Sequence, residues 1–317
     1  MTALPSELRT ACARVARLAR QVEIDLDAIS GYAAALPLEA SPPELDPQTH
    51  LIGGTRAELA AFWLTLDAIN FGAGWFPTLR KREGRSGYFT IAIAIRERFA
   101  RAGPWSAAEL AEIDALEVAR VLRQDPAHEL MALFARSLRD LGARVQGECG
   151  GRFQEVVEPP SRSTAGSVPA QSAASLAMRL ARWDCFADTS LYAESPVPFL
   201  KRAQLAAADL VRAGVADGQD LHGLTMFADN LVPHVLRLDG VLGFEPGLVQ
   251  RIDRGELIEH GSPEEVEIRA CAVHAVELIV AQRPGTCAAD VDQLLWHRGR
   301  HPRYKASPRH RSRCTAY

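Results

Sequence analysis

The starts of its helices constrain this chain most. Three times a hydroxyl residue stands three positions before a glutamate at the head of an apolar-periodic stretch: Thr55 with Glu58, Ser106 with Glu109, and Ser262 with Glu265. In this arrangement the hydroxyl accepts a hydrogen bond from an unpaired backbone N–H of the first helical turn, and the glutamate reaches back to the cap's own N–H. Pro263 adds the proline favoured in a first turn. Helices are therefore expected over about 56–71, 107–122 and 263–282. Apolar residues at spacings of three and four, such as Leu8, Ala11, Val15 and Leu18, extend the helical reading to 6–20. Further helices are expected near 23–36, 87–101, 127–146, 170–182, 198–213 and 288–296. Phe153–Val157 is the best candidate for a short strand, and Gly240–Gly243 reads as a turn. No alternation of strand and helix patterns runs along the chain, which argues against a parallel nucleotide-binding sheet.

The expected fold class is all-α, in two lobes. The stretch EPPSRSTAGSVPAQSAAS, 158–175, has the Pro, Ser, Ala and Gly content of a linker. It separates an N-terminal helical lobe, 1–157, from a C-terminal one, 176–317. With 47% hydrophobic and 24% charged residues, the chain has enough apolar material to fold. Its net charge of −3 argues against a general polyanion binder. The six cysteines are scattered, with no zinc-type spacing, and fit a reducing compartment. No apolar signal core and no bilayer-length apolar run is present, so a cytoplasmic, membrane-free protein is expected.

Five segments can carry chemistry. In FWLTLDAINFGAGWF, 62–76, Asp67 and Asn70 are three apart and share a helix face, with Phe71 nearby. They can bind a flat heterocycle or simply pack in a core. In 182–204, Asp184 and Asp188 are four apart, and Lys201 and Arg202 follow two apolar residues. These cations can hold a phosphate or pair with a carboxylate such as Asp184. In GLTMFADNLVPHVLR, 223–237, Asp229 sits among Met226, Phe227, Leu231 and Val232, where a carboxylate is costly unless used or paired. It is also a good helix-capping type with Pro233 one turn later. The helix at 263–282 reads as amphipathic scaffold, with Glu267 and Arg269 as surface or intrahelical charges. From His297 to Arg313 there are six Arg, one Lys, three His and no acid, a cluster that suits a phosphate-bearing partner or a mobile basic tail.

In order along the chain, DAINF with a nearby Trp, SGYFT, WDCFAD, FLKRAQ, LTMFAD, the GSPEEVEIRA stretch, LLW and the terminal HRSRCTAY resemble the queuosine salvage protein family. The resemblance runs from about His50 to Tyr317. It implies an all-helical fold similar to helix-hairpin-helix DNA glycosylases. It also implies hydrolysis of the N-glycosidic bond of queuosine 5′-monophosphate, giving queuine and ribose 5-phosphate.

By the same resemblance Asp229 is the catalytic carboxylate, with Phe227 lining its pocket. Asn230 stands where the family often has Tyr. His50, Asp67, Asn70 and Phe71 are the candidates for packing around or reading the base. Lys201, Arg202, His234 and Arg311 are those for the 5′-phosphate, and Tyr317 matches the family ending. No metal or cofactor is expected. The expected partner is the small nucleotide, with a monomeric chain and no obligatory nucleic acid. The competing readings are a glycosylase acting on DNA or tRNA, and a helical binding module.

Overall fold

Nearly every regular element in the computed structural model, which describes residues 4–38, 45–158, 172–216 and 221–317, is a helix. The Thr55 and Ser106 caps form as complete reciprocal boxes heading Arg56–Ala68 and Ala107–Ala111. At the third start, Ser262 accepts from the Glu265 N–H at 3.3 Å, but the Glu265 carboxylate does not close the box. It accepts instead from the Gly261 N–H at 3.1 Å and turns towards Arg269.

Several expected boundaries move. The 107–122 stretch is two helices, Ala107–Ala111 and Ala115–Leu122, because Asp114 caps a fresh start. Phe153–Val157 is a 3-10 helix rather than a strand. Strands occur where none was expected: Val22–Ile24 pairs antiparallel with Leu242–Phe244, and Thr189–Tyr192 with Ser195–Pro198. The Val232–Leu238 helix starts where the capping reading of Asp229 with Pro233 puts it, whereas the Pro246–Asp253 helix has no counterpart among the expected elements.

The chain forms two compact units that interleave along the sequence. The first is made of residues 4–38, 188–201 and 221–317, the second of 45–158, 172–187 and 202–216. The consecutive lobes expected on either side of 158–175 differ from this division, because the Leu4–Leu18 helix packs against Pro263–Ala281 from the far end of the chain. Of the expected linker, residues 159–171 lie outside the described residues.

The core of the first unit gathers around the Pro263–Ala281 helix. Every residue from 265 to 273 is buried. Of the reading of Glu267 and Arg269 as surface or intrahelical charges, the surface half is overturned, because a helix enclosed on all sides has no solvated face for them, while Arg269 does have an intrahelical partner in Glu265. In the second unit the Arg56–Ala68 helix is buried from Ala60 to Ala68 and packs against Gly87–Ala102 and Glu129–Cys149. The latter helix meets Ala107–Ala111 so closely at Gly142 that a Cβ there would sit 2.4 Å from the Ala111 nitrogen.

Candidate active site

In the first unit the non-helical run Leu224–Asn230 is pinned by side chains from several elements. Arg9 donates to the Leu224 carbonyl at 2.8 Å. Buried Asp292 accepts the Phe227 N–H at 3.0 Å, Arg269 Nε donates to the Ala228 carbonyl at 2.9 Å, and the Asn230 amide donates to the His310 carbonyl at 3.1 Å. Irregular backbone can be buried only if its polar groups find such partners.

Asp229 is the partly exposed member of the Leu224–Asn230 run's buried end, between Ala228 and Asn230. Its Oδ1 accepts from the Leu231 N–H at 2.8 Å and the Val232 N–H at 3.1 Å, capping the Val232–Leu238 helix from just outside. Among the described residues its Oδ2 makes no hydrogen bond. The cap and the catalytic reading are compatible, since capping occupies one oxygen alone. Half-buried Arg309 lies near enough for Asp229 to counter, in part, the downward push of burial on its guanidinium.

A cluster of buried charges stands behind this loop. Arg269 Nη2 donates to Asp188 Oδ2 at 2.6 Å, and Nη1 lies 3.5 Å from Glu265 Oε1. Its guanidinium packs against two rings, with the Phe199 centroid at 3.9 Å and that of Tyr317 at 4.5 Å. Glu265 is held down to about 2, burial being outweighed by Arg269 and His260. His260 is pushed up to about 10 by hydrogen bonding to Cys314 and to Glu265.

Lys201 follows directly. It is buried, and its backbone N–H donates to Asp188 Oδ2 at 3.0 Å. The preceding Leu200 has φ +55°, and its N–H donates to the Asp188 carbonyl at 3.1 Å. A left-handed leucine costs about 1–2 kcal/mol. That conformation persists where surrounding contacts over-determine it, as both ends of Asp188 do here. Asp188 lies beyond the 3-10 turn Asp184–Phe186 rather than sharing a helix with Asp184, and Asp184 is exposed.

The other phosphate candidates of this unit are tied to the fold. His234 is buried, its Nε2 is 2.8 Å from the Tyr304 carbonyl, and burial lowers it to about 4. It is thus neutral at physiological pH, unsuited to an anion as a cation. Arg311 donates to the Gly255 carbonyl at 3.0 Å while its own carbonyl accepts from Ile258. Tyr317 donates to Ser312 Oγ at 3.0 Å. These contacts hold the start and end of the basic segment against the unit, so it is not a loose tail.

In the second unit the helix ends at Ala68, so Asn70 lies beyond it and does not share a helix face with Asp67. Asp67 is buried in the last turn and Asn70 is half-buried. The Ala68 carbonyl accepts from Ser137 Oγ and from Arg202 Nη1, each at 2.6 Å. The Arg202 guanidinium lies 4.9 Å from the Phe71 centroid, and Phe71 packs edge-on to Phe134. Arg202 thereby serves a helix end in a closed core. His50 stacks on Trp63 with centroids 5.2 Å apart, and its Nε2 is 2.9 Å from the Tyr88 hydroxyl.

Sequence reasoning missed Asp188, Glu265 and Arg269 as a set, and Arg309. Asp188 and Arg269 are 81 residues apart, and Asp229 and Arg309 are 80 apart, beyond any local spacing rule.

Fold and site together define a mostly helical protein in which buried charges gather behind one partly exposed carboxylate. This chain belongs to the queuosine salvage protein family, whose model matches residues 50–317. It is 33% identical to the queuosine 5′-phosphate N-glycosylase/hydrolase of Sphaerobacter thermophilus, over 97% of each chain. It is 28% identical to the protein of that name from Bos taurus over 96% of each chain. With the one from Mus musculus it shares 29% identity over 73% of this chain and 72% of the other.

Proposed function

We propose that this chain is an N-glycosyl hydrolase that cleaves queuosine 5′-monophosphate to queuine and ribose 5-phosphate. The observation that carries this reading is the similarity, along nearly its whole length, to a protein named for that substrate and bond. The chemistry of the first unit supports it. Breaking the bond from C1′ to the base leaves positive charge on the sugar. Asp229, held by two amides with its second oxygen unbonded among the described residues, is pre-set to stabilise that charge and to orient or deprotonate water. Lys201 supplies a cation for the 5′-phosphate.

The leaving group poses a particular problem. A purine leaves more readily after protonation at N7, but a 7-deaza base has carbon there. The reaction then leans on the sugar side, where preorganised negative charge is most effective in a water-poor setting. We further read the helical framework as related to helix-hairpin-helix DNA glycosylases and the chain as a monomer acting without nucleic acid. Structural superposition and light scattering test those two points. No helix among the described residues is long and apolar enough to cross a membrane.

The test is direct. Purified protein incubated with queuosine 5′-monophosphate is expected to release free base, followed by chromatography, faster than it does from the unphosphorylated nucleoside. A stable complex with no base released would make the chain a binder instead.

A further inference from the structure

Between the candidate carboxylate and the candidate phosphate cation runs a single relay of buried bonds, all inside the first unit. Arg269 Nε holds the carbonyl of Ala228, the residue before Asp229. Nη2 of the same guanidinium binds Asp188 Oδ2, and that oxygen also accepts the backbone N–H of Lys201. One planar cation and one carboxylate oxygen therefore tie both backbones together. The rings of Phe199 and Tyr317, 3.9 and 4.5 Å from the guanidinium carbon, pack against it and limit its movement. At the far end the left-handed Leu200 turns the chain into Lys201 under the hold of Asp188.

We propose that Arg269, locked by Asp188, is a positioning residue that sets the spacing between the Asp229 carboxylate and the Lys201 ammonium, and thereby the preference for a phosphorylated substrate. The inference rests on the hydrolase reading above. The geometry needs arginine in particular: a lysine keeps the charge but has no rigid fork to serve Ala228, Asp188 and Glu265 at once. Buried ion pairs give little net stability over apolar packing, so the consequence of this one lies in where it places its neighbours. Glu265, diverted from its capping box, and His260 beside it complete the charge balance of the cluster.

The experiment compares kcat and KM of the full chain and its variants on queuosine 5′-monophosphate and on the free nucleoside. Folded Arg269→Lys is expected to lose kcat by about 10- to 100-fold, as small misplacements of reacting groups do. Its ratio of kcat/KM between the two substrates is expected to shrink towards that of Lys201→Ala. The Lys201→Ala/Arg269→Lys double variant should narrow it little further. Glu267→Gln, a buried change on the same helix that touches neither Ala228 nor Asp188, keeps kcat and the ratio. Asp188→Asn, of unchanged volume, gives a second reading of the relay.

An Arg269→Lys or Asp188→Asn protein that folds and keeps the wild-type kcat and ratio overturns the proposal. Failure of both variants to fold, with Glu267→Gln folded, assigns the pair to stability alone and overturns it too. Wild-type protein that releases no base from either substrate instead removes the hydrolase reading beneath it, a result separable from the others.

Discussion

Glu267 and Arg269 stand two residues apart on one buried helix and do opposite things with a buried charge. Glu267 looks to backbone: Oε2 accepts from the N–H groups of Arg20, Gln21 and Val22 at 3.0, 2.6 and 3.2 Å, and Oε1 accepts the Tyr192 hydroxyl at 2.8 Å. Those contacts staple a strand start and a hairpin to the core, and no candidate site residue is among them. Burial and Glu267 together push the Tyr192 phenol up, so the hydroxyl stays a donor. Arg269 looks instead to the loop before Asp229 and to the carboxylate that caps Lys201. Equal burial on the same helix thus says nothing of role. What separates the two is whether the bonded neighbour carries a group that can meet a ligand.

The sharpest way to break this contrast is at the carboxylate itself. Asp229→Asn keeps a capping oxygen for Leu231 and Val232 and removes the charge. It is expected to cut turnover about 10²–10³-fold with the helical circular dichroism unchanged. Wild-type rates in that variant would empty the Arg269 side of its chemistry and leave two structural clusters.

Next in size is Lys201→Ala. A charge-assisted contact is worth roughly 1.5–3 kcal/mol, or about 10- to 100-fold. The loss should fall on kcat/KM for the monophosphate and spare the nucleoside. Equal losses on both substrates would move the phosphate site away from Lys201.

Glu267→Gln sharpens the other half. Its carbonyl oxygen can still accept from the three backbone donors, but the charge is lost and an NH2 replaces the oxygen that accepts from Tyr192, costing about 1–2 kcal/mol in denaturant unfolding. Activity per folded molecule should not move.

The smallest effect is a pH dependence. His260 is raised to about 10 from an ordinary value near 6.5, so its contribution to stability is complete below pH 6.5 and is lost as pH rises through 10. Glu265 is lowered to about 2, so its contribution holds above roughly pH 4.5 and is lost as pH falls through 2. The difference in melting temperature between wild type and His260→Asn should therefore be largest near pH 5–6 and fade towards pH 10. A difference that grows with pH would place the proton elsewhere.

Helix starts were legible because capping is local: Thr55 and Ser106 behave as their spacing requires. Ser262 shows the limit. Its hydroxyl caps as expected, yet Glu265 is drawn away by Arg269 and His260, partners that a four-residue pattern takes no account of. The short strands escaped notice because three residues cannot display alternation, and Val22–Ile24 finds its partner at Leu242–Phe244. The capping role of Asp229 was readable from its residue type and from Pro233 one turn later. The Asp188–Arg269 bond was not, although one signal lay in plain view. From Val266 to Val276 the helix is apolar on nearly every face, which leaves Glu267 and Arg269 no solvated side. Asp67 and Asn70 were separated by a helix that stops one turn early, at Ala68.

The interleaving of the two units has a consequence for the order of events at the ribosome. Leu4–Leu18 emerges well before Pro263–Ala281, the helix against which it packs. All of the second unit is synthesised in the interval and can complete its own core before the first has its central helix. The Leu4–Leu18 helix must wait, its apolar stripe of Leu8, Cys12 and Val15 uncovered, until more than two hundred further residues are made. Nascent chains halted before residue 263 should therefore bind holdase chaperones through that stripe, and release them once the partner helix is out.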